Sequence, residues 1–356
     1  MKKTLKIKKW QLLRFRSREE AVDLTDAEFI AVGKHAFLGQ KRIENLVLPS
    51  TASAIKTEAF RGCKRLRSIT LSENGNTGVA SRAFAKCTRL HTVEHADLIS
   101  SVGAQAFLGC RTLENITFGR ELRKIGEEAF RGCESLTELT LPSCLQTVGR
   151  AAFADCTELA RVEMESGFHT LAPDLFRNCI SLSKVEFSNT LREIPQNTFC
   201  NCSALTELTV PSNVQKVGKR AFFGCARLSS VELEMGVTHV GARAFANAPR
   251  LCEVVIPHTL KRLGFGAFGL GSSKEKILVY VDNEYMLRRM RRLLFLCGSS
   301  GRVTVSLVGK SLEERKRERR RATVDQKPVH LLEQNETVSM DTNTSEKDLT
   351  IEHEDD

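Results

Sequence analysis

The residues with the most chemistry to offer in this chain are its twelve cysteines. A thiolate is a nucleophile and a soft metal ligand, and two thiols can close a disulfide. Eight of them recur at one place in a repeating pattern: Cys63, Cys87, Cys110, Cys133, Cys156, Cys179, Cys202 and Cys225. No Cys-x-x-Cys pair occurs, so the spacing that zinc would use is missing. Side chains stacked in one column project as parallel vectors, which fit the disulfide torsion poorly. A buried thiol is a small hydrophobe that suits a tight stack. The spacing therefore points to packing. Cys144, Cys200, Cys252 and Cys297 fall outside the column, where an exposed thiol is a candidate.

His91 and His95 are four apart, the spacing of two ligands on a helix. Here they flank a strand, which sets them about 13 Å apart. His95 occupies a position that is otherwise apolar and is expected to be a hydrogen-bonded core residue. No glycine-rich phosphate loop follows a strand, and no Ser-His-Asp or Cys-His set can be assembled. The sequence thus offers no catalytic residue, no cofactor site and no metal site, and the chain is expected not to be an enzyme.

The element that positions everything is a recurring phenylalanine. It falls at Phe37, Phe60, Phe84, Phe107, Phe130, Phe153, Phe176, Phe199, Phe222, Phe245 and Phe268, at intervals of 23 residues with a single interval of 24. A fixed period in this range marks a solenoid. Counting each phenylalanine as zero, Leu or Ile sits at +6 in the first ten rungs and the alternate residues at +9 and +11 are mostly apolar, as in Val231 and Leu233. That alternation is a half-buried strand. Stacked coils would pair these strands into a parallel sheet, about 4.8 Å per coil and roughly 50 Å in all. Pro49, Pro142, Pro211 and Pro257 at +12 end the strand. An apolar residue returns at +18, as in Ile125 and Val148, with glycine behind it at Gly103, Gly126, Gly149, Gly218, Gly241 and Gly264. Glycine there serves a positive φ or a close approach of backbones. The Ala-Phe-x-Gly-Cys step is expected to make one loose helical turn. The extra residue of the longer interval falls near 74–78, where a bulge is expected.

The string from Ile125 to Pro142 resembles the BspA-type leucine-rich repeats, whose unit carries Ile-Gly-x-x-Ala-Phe-x-Gly-Cys-x-x-Leu-x-x-Ile-x-Leu-Pro. The resemblance covers about residues 30–280. It implies a right-handed superhelix with a concave sheet used for binding, and many similar proteins are surface or secreted adhesins. The expected fold is an α/β solenoid, leucine-rich-repeat-like, with a parallel concave sheet and short convex turns, capped at both ends. Residues 1–29 are read as an N-terminal cap and 30–276 as about eleven rungs. Residues 277–309 read as a strand-helix-strand C-terminal cap, and 310–356 as a charged disordered tail.

The net charge of +10 is uneven. Residues 1–20 carry +6, residues 284–321 carry +8, and residues 322–356 carry −8. No apolar run is long enough to span a membrane, and charges interrupt the basic start before a signal-peptide core can form. A cytoplasmic location is expected, with nuclear or surface placement as alternatives. The candidate partner-binding residues face outward from the central strands at +8 and +10: Glu138, Arg161, Glu163, Lys184, Glu186, Glu207 and Glu232. The plainer reading makes them solvated residues that pair across the sheet. The expected function is a monomeric, non-catalytic scaffold that binds a protein on this face. The alternatives are a surface adhesin, or binding of nucleic acid or anionic membrane through the basic ends.

Overall fold

The computed structural model describes residues 20–27, 30–169, 171–269, 277–281, 284–296 and 303–307. Each rung, numbered here from Phe37 as rung 1 to Phe268 as rung 11, is one coil of a parallel-sheet solenoid. The +8 to +11 segments pair in register with the next coil, as in Glu138–Leu141 beside Arg161–Met164, in three runs that break at rung 4 and between rungs 7 and 8. Their burial alternates as the sequence pattern requires: Glu138 and Thr140 are exposed, Leu139 and Leu141 buried. This main sheet begins with Ala21–Asp23, inside the segment read as a cap, and that strand pairs with Asn45–Val47 of rung 1. It continues past the last phenylalanine through Ile277–Val281 and Val303–Leu307. Between those two strands runs a helix, Glu284–Leu296, whose Met286 and Met290 are buried. Residues 1–19 and the tail read at 310–356 lie outside the described residues.

A second parallel ladder was not foreseen. Short strands at +17 and +18 pair coil to coil, from Ala31–Val32 through Thr147–Val148, and again from Glu193–Ile194 through Arg262–Leu263. One 23-residue offset that aligns the first set of strands must align every other position too.

The phenylalanines form a single stack. Ten successive ring pairs have centroids 4.8–5.9 Å apart and near-parallel planes. That spacing follows the coil repeat, which the backbone hydrogen bonds set at about 4.8 Å. Phe118 and Phe187 meet the stack edge-on at Phe130 and Phe199, the other favoured aromatic geometry.

Two expectations need correction and one is narrowed. The chain is a β-solenoid with little helix, not an α/β one, because the Ala-Phe step is no helical turn. Its backbone takes positive φ twice per coil, two residues before and two after the phenylalanine, as at Glu128 and Gly132. No helix tolerates that. Alternate N–H groups of the turn bond across to the next coil (Glu128 to the Arg150 carbonyl, Phe130 to the Ala152 carbonyl). The residues between them close local turns, as Cys133 does on the Phe130 carbonyl. His95 is not a core residue: it is exposed, with φ 59°, and Ala96 takes the buried place. The glycines at +19 owe their presence to close approach, not to φ. A methyl on Gly103 would lie 2.5 Å from the Ser81 nitrogen, and one on Gly218 would lie 2.6 Å from the Gln196 nitrogen. The extra residue of rung 2 produces the expected irregularity, a register shift between Thr77 and Gly78.

Candidate interaction surfaces

The cysteine column is interior. Cys63, Cys87, Cys110, Cys133, Cys156, Cys179, Cys202 and Cys225 are all buried. Each thiol donates to the carbonyl of the phenylalanine in the preceding coil, from Cys63 on Phe37 at 2.9 Å to Cys225 on Phe199 at 3.5 Å. The sequence shows the column but not this bond, which gives the carbonyl a second donor. Burial pushes the Cys110 and Cys156 thiols up to about 12 and holds Cys133, Cys179 and Cys202 well above the usual range. Such thiols stay protonated and are poor nucleophiles. Of the cysteines outside the column, Cys200 is buried while Cys144 and Cys252 are half-buried. Among the described residues no cysteine is bridged, and no group of His, Cys, Asp and Glu is placed to hold a metal.

The outward residues of the main sheet fall in two rows. Glu138, Arg161 and Lys184 align across three coils, and Glu163 aligns with Glu186 beside them. Arg161 bridges Glu163 at 3.3 Å and Glu186 at 3.0 Å, and Lys184 meets Glu186 at 2.7 Å. Lys184, then Arg161, hold the Glu186 carboxyl below the usual carboxylate range. Glu207 and Glu232 lie on the next stretch of sheet, level with Ser230 and Thr209 respectively. The four residues of rungs 6 and 7 therefore form one network, and Glu138, Glu207 and Glu232 flank it.

A second polar array lies on the turn side. The left-handed positions project side chains that bond one another from coil to coil. His35 meets Glu58 at 3.3 Å, and Glu58 meets Arg61 at 3.0 Å and Arg82 at 3.6 Å. Arg82 donates to Gln105 and Gln105 to Glu128, each at 2.7 Å. Glu128 pairs with Arg131, which reaches Asp155 at 2.8 Å. Asn178 donates to Asp155 at 2.7 Å and Asn201 to Asn178 at 2.9 Å. Gln105, then Arg131, hold the Glu128 carboxyl low. Partial burial alone would raise Asp155, but bonds from Asn178 and Arg131 outweigh it and the pKa falls. The sequence signal for this array is the recurrence of polar residues at the coil interval, as in His35, Glu58, Arg82, Gln105 and Glu128.

Beside the glycine column the second ladder carries two shallow grooves. One, about 360 Å³, is lined by small residues such as Ser81, Ser101 and Gly103, with Lys56 and Lys124. The other, about 550 Å³, has Gly218, Gly241 and Gly264 along it, with Lys216, His239, Lys261 and Arg262 on its wall and Glu193 at one end. No described helix is long and apolar enough to cross a membrane.

The profile of the BspA type leucine rich repeat region matches six copies, over residues 30–160, 77–206 and 169–286. Solved structures of leucine-rich repeat proteins are also similar. One from Bacteroides ovatus is 21% identical, covering 79% of this chain and 88% of its own, with a TM-score of 0.42. One from T. pallidum is 29% identical, covering 46% of this chain and 78% of its own, with a TM-score of 0.40. The pneumococcal vaccine antigen PcpA is 17% identical, covering 85% and 91%, with a TM-score of 0.41. No curated protein matches the sequence.

Proposed function

The chain belongs to the BspA-type leucine-rich repeat family, and from that premise we propose that it is a non-catalytic scaffold that binds a protein partner on its main sheet. The observation that carries this reading is the Arg161–Glu163–Lys184–Glu186 network. Arg161 and Glu163 stand on a strand paired on both sides, and Lys184 and Glu186 on the strand beside it, so the charges are held in place before a partner arrives. Pre-organised side chains lose less entropy on binding. The flanking carboxylates Glu138, Glu207 and Glu232 extend the same face along the coils and give the partner a mainly acidic surface to match. The buried, protonated thiols fit a structural role, and the cytoplasm is the setting this reading assigns. An adhesin would use the same sheet toward a partner outside the cell, and cell fractionation separates the two settings.

The test is retention of cellular proteins on the immobilised full chain. The comparison is with a variant carrying Glu138→Lys, Glu163→Lys, Glu207→Lys and Glu232→Lys and melting at the same temperature. A partner held by the native chain and lost by this variant supports the reading. A partner held equally by both removes the main sheet from the function.

A further inference from the structure

The lining of the larger groove holds Lys216, Lys261, Arg262 and His239 against one carboxylate, Glu193, which lies level with Lys216 at one end. Its near wall is the row Lys216, His239 and Arg262, in register coil to coil, with Lys261 beside Arg262. Just past the glycine column the chain presents Lys219, Arg220 and Arg243. Among the described residues no carboxylate forms an ion pair with Lys216, Lys219, Arg220, Arg243 or Arg262, whereas Arg82, Arg131 and Arg150 on the earlier coils each have one. Arg220 and Arg243 occupy the same left-handed position in adjacent coils, one coil spacing of about 4.8 Å apart. The Arg220 guanidinium lies 5.3 Å over the Phe223 ring, and its Nε is buried with no hydrogen-bond partner. Like charges at that spacing repel and are stabilised by a bound anion.

We propose that this trough is a docking groove for an extended acidic polypeptide segment. Two cationic columns flank a glycine stripe, so a backbone lying along the stripe can approach closely. Successive side chains of an extended peptide point to opposite sides. Alternate carboxylates thus reach the Lys216–Arg262 row and the Arg220–Arg243 column. A single nucleic-acid strand carries its phosphates in one file and would address only one of the two columns. Phe265, 64% exposed next to Gly264, gives the far end an apolar contact. The corresponding groove on the early coils shares the shape but holds only two lysines, Lys56 and Lys124, among its lining side chains. The inference is independent of the main-sheet reading.

The experiment is fluorescence anisotropy of a labelled oligoglutamate peptide with the intact chain. The triple variant Lys216→Glu, Arg243→Glu, Arg262→Glu should raise Kd by about tenfold or more, the sum of three modest exposed pairs. Lys56→Glu with Lys124→Glu in the small groove should leave Kd unchanged, as should the main-sheet variant, so failure here is distinct from failure there. If the triple Glu variant does not fold, the neutral triple variant with Gln at the same positions should still weaken binding. Absence of binding by the intact chain, an equal loss in the small-groove variant, or no change in the triple variants would overturn the proposal. Tighter binding of a labelled oligothymidylate through the same residues would overturn it in favour of a phosphate groove.

Discussion

From His35 to Glu128 the left-handed side chains two residues before each phenylalanine bond one another coil to coil. Arg131 then links Glu128 to the left-handed Asp155, Asn178 and Asn201, which stand two residues after a phenylalanine. From Arg220 onward the two left-handed columns hold Arg220, Gly224, Arg243, Asn247 and Gly266, with the same positive φ and, among the described residues, no side-chain bond from one to the next. Backbone and interior do not change across this boundary. The phenylalanine stack runs through it at 5.1 Å between Phe199 and Phe222, and the thiol bond continues from Cys225 to the Phe199 carbonyl. The repeat therefore specifies what points inward and leaves the turn side chains free. On the early coils those side chains neutralise one another, and on the late coils they leave a basic surface.

The sharpest way to break this comparison is to damage the interior in each region. Phe130→Ala and Phe222→Ala should each destabilise by about 3–5 kcal/mol, with similar drops in denaturant midpoint. The two rings are equally buried and equally stacked, and the edge contact of Phe118 adds at most about 1 kcal/mol to the cost at Phe130. A clearly smaller cost at Phe222 would mean that the late coils are not the same structure carrying different charges.

The glycine column makes a milder version of the same test. Gly103→Ala on the early coils and Gly241→Ala on the late ones each set a methyl against neighbouring backbone, 2.5 Å from Ser81 and 2.6 Å from Lys219. Each should cost about 1–3 kcal/mol by overpacking. At Gly33 nothing lies within 4 Å, so Gly33→Ala should be neutral or stabilising by up to roughly 1 kcal/mol. Thermal melting of the three variants sorts the two outcomes.

The sequence made the interior legible because phenylalanine, cysteine and the +9/+11 apolar pair recur at one period, and burial tolerates few residue types. The parallel pairing of Glu138, Arg161 and Lys184 followed from that period alone. What escaped reading was conformational. Asp155, Asn178, Asn201 and Asn247 share their left-handed position with Gly132, and Asx residues are the non-glycine types that tolerate it best. A helical turn was expected where those residues rule one out. The thiol-to-carbonyl bond was also out of reach, since a column of cysteines states where the sulfurs are but not what they donate to. His95 misled because an apolar template position was assumed to be filled, when a bend had moved Ala96 into it.

Polar pairing should be where the two regions part. Glu128 accepts from Gln105 and Arg131, so Glu128→Gln should cost on the order of 0.5–1.5 kcal/mol, the worth of a partly exposed bonded group. Arg243→Gln removes one of two like charges in register and should leave stability unchanged or slightly higher. Opposite signs in urea midpoints sharpen the contrast; equal losses would erase it.

The smallest expected effect is on the acid side of the stability profile, and its sign is fixed by the bonded carboxylates. Partial burial would raise Glu58, but Arg61 and Arg82 overcome it and hold the carboxyl low. Glu128 and Asp155 are also held low by their donors. A carboxyl with a folded pKa below its unfolded value stabilises the fold above the unfolded value, about 4 for these groups. That contribution disappears as pH falls through the depressed folded values. Stability should thus be flat from neutral pH down to about 5 and decline below about 4. Glu128→Gln should make the decline shallower, because one of the protons taken up on unfolding is gone. The neutral Gln variants at Lys216, Arg243 and Arg262 should keep the native slope, since those cations bond no depressed carboxyl on the late coils and Gln adds no titrating group. Denaturant midpoints measured across the acid range decide it. An unchanged slope in Glu128→Gln would show that the early coils draw no stability from their bonded charges, and the difference between the two regions would then be one of surface charge alone.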